Sequence, residues 1–419
     1  MRFFQRLFLI VLITTVLSLG AVSAQDQPVT LNLWMFLDNS GFLPQVVEAF
    51  HAQYPNITVQ ITDVPEGDYI TKIDTAILAG EPPDIGFPYV QRWIKAGYLL
   101  SIDDAMAANN VSLDDFNAGA VSRNCMADGH VYCLGSFTGG SLLFYNKDLF
   151  DAAGVPYPSA TEPMTIDEYA DLANRLTVPS DNIEERVWGA NAPNPWWFDM
   201  RDFFSEDGHT ALGYVDDAAT THLFQVIGDM YASGNALTDA DMSIVSFEDL
   251  LATGRVAMAV TDTVVAQPLL ENAGIRWGAA PPPVEQAGDL PWVYTGSDEL
   301  AAFSGSAHPE EAKLFVIFYG TEGNRIRFET SGDLPLNMKL AQELNWAGDS
   351  EGRQEMFAGI QLSRPSLFIP EWFTVIEPLS EAINLMVEDG LSAEEALAEM
   401  APVVQDTLDE TWETWDQIQ

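Results

Sequence analysis

Aromatic rings, carboxylates and amides that stand outside any periodic run are the residues of this sequence best suited to chemistry. Trp34 ends an apolar stretch and is followed by Asp38, Asn39 and Ser40. Phe87 and Tyr89 fall in a proline-punctuated segment after Ile85. Residues 194–199 read Asn-Pro-Trp-Trp-Phe-Asp, a loop in which the adjacent rings of Trp196 and Trp197 cannot both enter one core. Trp292 and Tyr294 precede Gly296, Ser297 and Asp298; Arg364 precedes Pro365; Trp372 follows Pro370 and Glu371. Flat apolar rings beside hydrogen-bonding groups suit a ligand that alternates C–H faces with hydroxyls, as sugars do. Core packing is the competing use of each ring, most evenly balanced for Trp34 and Trp372. Arg364 could fork two hydroxyls or form a surface ion pair.

Signatures of catalysis are scarce. The histidines (His51, His130, His209, His222, His308) include no pair at i, i+4, and there is no Gly-x-Ser-x-Gly elbow, Walker loop or Gly-x-Gly-x-x-Gly. Neither a metal nor a cofactor is expected. Carboxylates are abundant enough that a glycosidase pair stays open as a rival reading. The balance of 18 basic against 62 acidic residues excludes a nucleic-acid partner, which needs clustered Lys and Arg, and makes a strongly anionic ligand unfavourable. A solvated acidic coat explains the charge most simply.

The chain opens with Arg2 and Arg6, a 13-residue apolar run from Leu7 to Leu19, and the small residues Val22, Ser23 and Ala24. That is the pattern of a secretory signal over residues 1–24, too short to span a bilayer comfortably. No cysteine follows the run, so no lipid anchor is expected. Losing two arginines and no acid takes the net charge from −44 to −46. About 395 residues remain, enough for two lobes. Cys125 and Cys133 flank an Asp-Gly turn, a hairpin signal. In an exported protein such a pair suits a disulfide, with two buried free thiols as the alternative.

The elements that must hold these residues follow a strand–helix rhythm. Val29 to Phe36 reads as a strand; Leu43, Val46, Val47 and Phe50 share a helix face ended by Pro55; Ile57, Val59 and Ile61 alternate as a second strand; Ile70, Ile73 and Ile77 mark a helix ended by Gly80. This is the order of a mostly parallel α/β sheet. Ligands of such sheets sit beyond the carboxyl ends of the strands, where Trp34, Phe87, Tyr89 and Asp262 fall. Near the C-terminus, Ser392 with Glu395 caps a helix bearing Leu397, Met400, Val404 and Leu408.

Several segments carry a family resemblance. Residues 141–154, Ser-Leu-Leu-Phe-Tyr-Asn-Lys-Asp-Leu-Phe-Asp-Ala-Ala-Gly, form an apolar strand, an Asn146 cap and a short helix. They resemble the first crossover of bacterial extracellular solute-binding proteins of the maltose-binding-like family 1. Trp34, Tyr54-Pro55 and the Gly80–Asp84 loop are similar to that family's opening, Phe247–Val260 to its helix-turn-strand, and His308–Gly320 with Gly332–Pro335 to its later part. Arg255 replaces a usual Lys, and Thr261-Asp262-Thr263 stands where a Gly and a Trp are often found, which puts ligand contacts there in doubt.

The resemblance implies a two-lobe α/β fold of the type II periplasmic-binding-protein kind, each lobe a mostly parallel sheet flanked by helices. Lobe one would comprise residues 28–140 plus 295–350, and lobe two residues 141–294 plus 351–419. Rotation would be absorbed near Leu142–Tyr145 and Leu300–Phe303. The implied function is that of a non-enzymatic, secreted or periplasmic monomer. It would close on a mono- or oligosaccharide and deliver it to ABC permease subunits. A secreted glycoside hydrolase and a binding protein for a non-sugar solute are the rivals. The expected ligand contacts are Trp34, Asp38, Asn39, Phe87, Tyr89, Trp196, Trp197, Asp262, Trp292, Tyr294, Gly296, Ser297, Arg364 and Trp372.

Overall fold

Alternation fixes the first strands as the sequence suggests. In the computed structural model, which describes residues 28–36, 41–192, 203–291, 293, 295–362 and 367–418, Leu31, Leu33 and Met35 face the core while Thr30 and Asn32 face outward. Along the chain run strands β1 (Val29–Met35), β2 (Ile57–Asp63), β3 (Ile85–Gly86), β4 (Met126–Ala127), β5 (His130–Val131), β6 (Cys133–Leu134) and β7 (Gly139–Asn146). They are followed by β8 (Ala190–Asn191), β9 (Ala236–Leu237), β10 (Met258–Asp262), β11 (Trp277–Ala280), β12 (Thr295–Gly296) and β13 (Leu300–Ala302).

Two main sheets result. The first has the order β2-β1-β3-β13-β6, and the second β10-β7-β11 with β12 added to the free end of β7. β1 is parallel to β2 and β3. The expectation of a mostly parallel sheet fits this part of the first lobe and must be corrected for the second, where β7 is antiparallel to both β10 and β11. β13 likewise runs against β3 and β6. The cause is connectivity. β7 and β13 enter their sheets from the other lobe, at the boundary end where their neighbours finish. Met35, Gly86, Asp262 and Ala280 therefore all end strands that point toward the boundary between the sheets.

Helices cover both sheets. The first core joins Leu31, Leu33 and Ile85 to Phe50 of the helix Phe42–Gln53, Tyr69 of the helix Glu66–Ala79 and Phe315 of the helix Pro309–Gly320. β7 is buried along its whole length and feeds two cores by alternation. Leu143 and Tyr145 pack toward the helices Ala218–Ser233, Trp372–Val387 and Ala393–Gln417, while Leu142 and Phe144 pack with Trp277, Leu270 and Met356. The helix Met338–Glu343 lies on the border: Met338 and Ala341 join the second sheet's core, and Lys339 reaches Asp115 at 3.5 Å. No helix among the described residues is long and apolar enough to cross a membrane.

Cys125 and Cys133 are disulfide-bonded across the hairpin β4–β5, with a Cα–Cα distance of 4.8 Å. The turn between them places Asp128 at φ 51° and Gly129 at φ 79°, the left-handed pair that a two-residue hairpin requires. Replacing both cysteines with alanine should lower stability by about 2–3 kcal/mol, since a short closed loop is released in the unfolded chain. Urea denaturation of wild type and variant, each with and without reductant, measures this. Wild type under reduction should move toward the variant.

Candidate ligand-binding site

The carboxyl ends of β1 and β3 open onto a pocket of about 460 Å3. Rings form its wall. Phe36, the residue after β1, has its centroid 5.2 Å from that of Phe87, 5.7 Å from Tyr69 and 6.2 Å from Tyr89. Phe87 and Tyr89 lie 5.5 Å apart. All four pairs meet edge to face, an arrangement aromatic quadrupoles prefer.

Tyr69 holds the array in place. Its hydroxyl donates to the carbonyl of Trp34 at 2.9 Å and accepts from the Phe87 N–H at 2.7 Å, tying the ends of β1 and β3 together. Burial drives its pKa far above the ordinary tyrosine value, so the group stays a neutral phenol. Only glycine fits at position 86, because a Cβ there would lie 2.7 Å from that hydroxyl. Tyr89, 41% exposed, donates to Glu66 Oε1 at 3.3 Å.

The floor is polar. Ser297 lines the pocket, and its buried Oγ has no hydrogen-bond partner among the described residues. Beside it the Asp298 carboxylate accepts from the Ser136 N–H at 3.0 Å and from the Ser136 hydroxyl at 2.7 Å. Burial raises the Asp298 pKa, and the nearby Arg327 opposes the rise. Arg327 also lines the pocket, but its guanidinium is engaged by Asp298 and Asp333. The described pocket therefore offers rings, hydroxyls and carboxylates, and its one cation is neutralised.

The expected contacts separate on this geometry. Phe87 and Ser297 line the pocket, Tyr89 packs against two of its rings, and Gly296 pairs with Gly139 where the chain crosses between sheets. Trp34 lies elsewhere, beside the helix Glu66–Ala79 with Lys72 Nζ 5.9 Å from its ring. Asp262 sits across the boundary, opposite Ser141 in the ladder; it caps the helix Thr263–Ala273 by accepting from the Val264 N–H at 2.9 Å, and burial raises its pKa. Trp372 begins a second-lobe helix and meets Phe204 edge to face at 5.6 Å. Asp38, Asn39, Trp196, Trp197, Trp292, Tyr294 and Arg364 lie outside the described residues. Phe36, Phe42, Glu66, Phe137 and Arg327, all lining the pocket, were not singled out from the sequence. For Phe36 a signal existed, as the next outward residue after Trp34 in a period-two strand.

Besides the Lys339–Asp115 pair, two contacts among the described residues join the lobes away from the crossing strands. Arg92, in the short helix Arg92–Lys95 after β3, pairs with Asp74 at 2.7 Å and Glu371 at 3.4 Å. Lys95 Nζ lies 5.5 Å from the ring of Trp415 in the C-terminal helix.

Comparison with known proteins follows the same lines. The family model for bacterial extracellular solute-binding proteins matches residues 37–326. A putative binding protein of Brucella abortus is 24% identical over 380 residues, covering 87% of this chain and 89% of that protein. The melibiose/raffinose/stachyose-binding protein MelE of Bacillus subtilis is 21% identical over 328 residues, 74% of each chain. Among solved structures, the sugar-binding protein MalE of Xanthomonas citri superposes with a TM-score of 0.76 at 19% identity, covering 93% of this chain and 99% of that one. An ABC substrate-binding protein of Listeria monocytogenes in complex with cycloalternan gives a TM-score of 0.74 at 20% identity, covering 91% and 100%. These likenesses show the two-lobe type II architecture.

Proposed function

The chain belongs to the bacterial extracellular solute-binding protein family, and from that premise we propose that it binds a mono- or oligosaccharide between its lobes. Closure by hinge rotation traps the ligand, and the closed form delivers it to an ABC permease. Its family is one of binding proteins and not of enzymes. In this reading the mature protein is an exported monomer. Lobe one comprises residues 28–140 and 295–337, the expected bound at 350 being moved back because Met338, Ala341 and Trp346 pack in the second sheet's core, and lobe two comprises residues 141–294 and 338–419.

The observation that carries the sugar assignment is the pocket at the ends of β1 and β3, with Phe36, Phe87 and Tyr89 as ring surfaces and Glu66, Ser297 and Asp298 as hydroxyl partners. Among the described residues its only cation, Arg327, is already paired with two carboxylates, which favours an uncharged ligand over a phosphate or carboxylate. Relatives support the same class: MelE is a melibiose/raffinose/stachyose-binding protein, and another relative is a lactose-binding protein. In this reading Asp262, across the boundary, faces the ligand from the second lobe.

Isothermal titration of the mature protein against raffinose, stachyose, lactose, maltotriose, an amino-acid mixture and glycerophosphocholine tests this, with tryptophan fluorescence in parallel. Saturable heat with at least one saccharide is expected. Heat with the amino acids or the phosphodiester alone would remove the carbohydrate assignment and leave the fold.

A further inference from the structure

We propose that Arg327 is the pin of the inter-lobe hinge, a positioning residue that holds the three crossing segments and the pocket wall as one rigid block. This goes beyond the ligand class, though its binding readout rests on the saccharide reading above.

The chain passes between lobes in three places. The first crossing, residues 135–138, leaves β6 and enters β7. The second, residues 295–298, runs through β12 into β13. The third, residues 332–337, leaves the helix Glu322–Ser331 for the helix Met338–Glu343. They lie side by side: Thr138 N donates to the Leu334 carbonyl at 2.8 Å, and β12 pairs with β7 through Thr295 with Gly140 and Gly296 with Gly139.

One side chain touches all three. The Arg327 guanidinium stacks 4.7 Å from the ring of Phe137 on the first crossing, lies 3.4 Å from Asp298 on the second, and donates through Nε to Asp333 on the third. It also lies 4.9 Å from the ring of Phe42, at the start of the helix that walls the pocket. Asp298 extends the node by taking both donors of Ser136. The Arg327 side chain is 11% exposed, so these contacts are little screened by water. A planar fork that meets two rings and two carboxylates is a geometry that arginine supplies and lysine does not.

The placement of the pin locates the rotation. Leu142–Tyr145 and Leu300–Phe303 are poor pivots, because β7 is laddered on both edges by β10 and β11, and β13 by β3 and β6. On the first-lobe side the crossings are clamped by Arg327. Between the clamp and the ladders with β10 and β11 lie Gly139-Gly140 and Thr295-Gly296. These pair with each other and can turn together as one ribbon, with the Gly140 N–H donating to Thr263 Oγ1 at its second-lobe end. Glycine's wide φ/ψ range lets few residues absorb a large rotation. Loosening the clamp should spread the lobe angle and let a bound ligand escape.

The test uses spin labels at Glu48→Cys in the first lobe and Glu410→Cys in the second, with the native disulfide intact. Wild type should give one narrow inter-lobe distance, shifted by saturating raffinose or whichever panel saccharide binds. Arg327→Met should broaden the unliganded distribution and raise Kd at least about tenfold, chiefly through faster dissociation. Arg327→Lys keeps the charge and should fail to restore either property. Phe137→Leu, which removes one ring and keeps the arginine, should show the same broadening to a smaller extent, and it carries the test if Arg327→Met does not fold. Narrow, wild-type distances and unchanged Kd in these variants, even with a lowered unfolding midpoint, would reduce Arg327 to a packing residue and overturn the proposal. The unliganded width needs no sugar. If no saccharide shifts the wild-type distance, the carbohydrate reading fails while the free-state width still decides the pin.

Discussion

Replacing Lys147 with methionine is expected to lower the free energy of unfolding by about 3 kcal/mol at neutral pH. The lysine side chain is 3% exposed, with Nζ 2.8 Å from Glu351 and 3.1 Å from Glu355. Glu355 is 18% exposed, and its other oxygen accepts from the Ala279 N–H at 3.0 Å and the Tyr145 hydroxyl at 3.2 Å. Methionine fills the space of the lysine stem but strips this carboxylate of its counter-ion where little water reaches it. Glu351 is 73% exposed and loses little, which keeps the effect at the lower end of that for broken buried pairs. The pH dependence has a definite sign. Lys147 holds the Glu351 pKa below its ordinary value. A carboxylate depressed in the folded state adds stability above its unfolded pKa and loses it as pH falls through the folded one. The small part of the gap that comes from Glu351 should therefore be present above about pH 5 and be lost toward about pH 3, while the larger part, from the stranded Glu355, is read at neutral pH. Urea denaturation at several pH values measures it, and Lys147→Met with Glu355→Gln should recover part of the loss. An equal gap at every pH would show that Glu351 contributes nothing, and no recovery in the double variant would assign the remaining effect to packing.

Much around that network was legible beforehand. Asn146 caps the helix Lys147–Ala153, its Oδ1 accepting from Asp148 and Leu149 N–H groups at 3.0 and 3.3 Å, and Gly154 ends it at φ 66°. Ser392 and Glu395 form a reciprocal capping box, and Pro309 opens its helix. These features are local, set by residues within four positions of one another. The direction of β7 was not legible, because its apolar run reads the same in either sense and its neighbours β10 and β11 arrive more than a hundred residues later. Lys147 looked like an ordinary helix residue for the same reason. Its partners are some two hundred positions away.

The site divides along the same line. Strand ends can be estimated from alternation, which is why Phe87 and Tyr89 were marked and lie in the aromatic array. Trp34 and Phe36 share one face of β1, and alternation cannot tell which of them clears the sheet. That depends on the ladder with β2, which runs through Met35 opposite Asp63 and carries Trp34 under the neighbouring helix. Arg327 gave no signal, since the two rings and two carboxylates around it come from four separate segments. Glycine at 86 is explained by one hydroxyl, that of Tyr69, 17 positions earlier.

That distinction gives the sharpest functional test. Phe87→Ala is expected to raise the Kd of the saccharide found by titration about thirtyfold, a loss of about 2 kcal/mol, the usual effect of removing a central ring from a desolvated contact. Phe36→Ala should do at least as much, because its ring touches Tyr69, Phe87 and Tyr89 and its loss lets all three relax. Neither ring is fully buried, so both variants should stay folded, with unfolding free energies lowered by less than a core Phe→Ala change of about 3–5 kcal/mol. Trp34→Ala is the informative contrast. Its ring is larger and lies in the same strand, yet it faces Lys72 and not the pocket, so Kd should change by less than about threefold while stability falls. Calorimetry for binding and urea melts for stability separate the two outcomes. The opposite pattern, with binding lost in Trp34→Ala and kept in Phe87→Ala, would move the ligand away from the β1–β3 pocket to the face under the helix Glu66–Ala79. The neutral-ligand argument would then have to be rebuilt around Lys72.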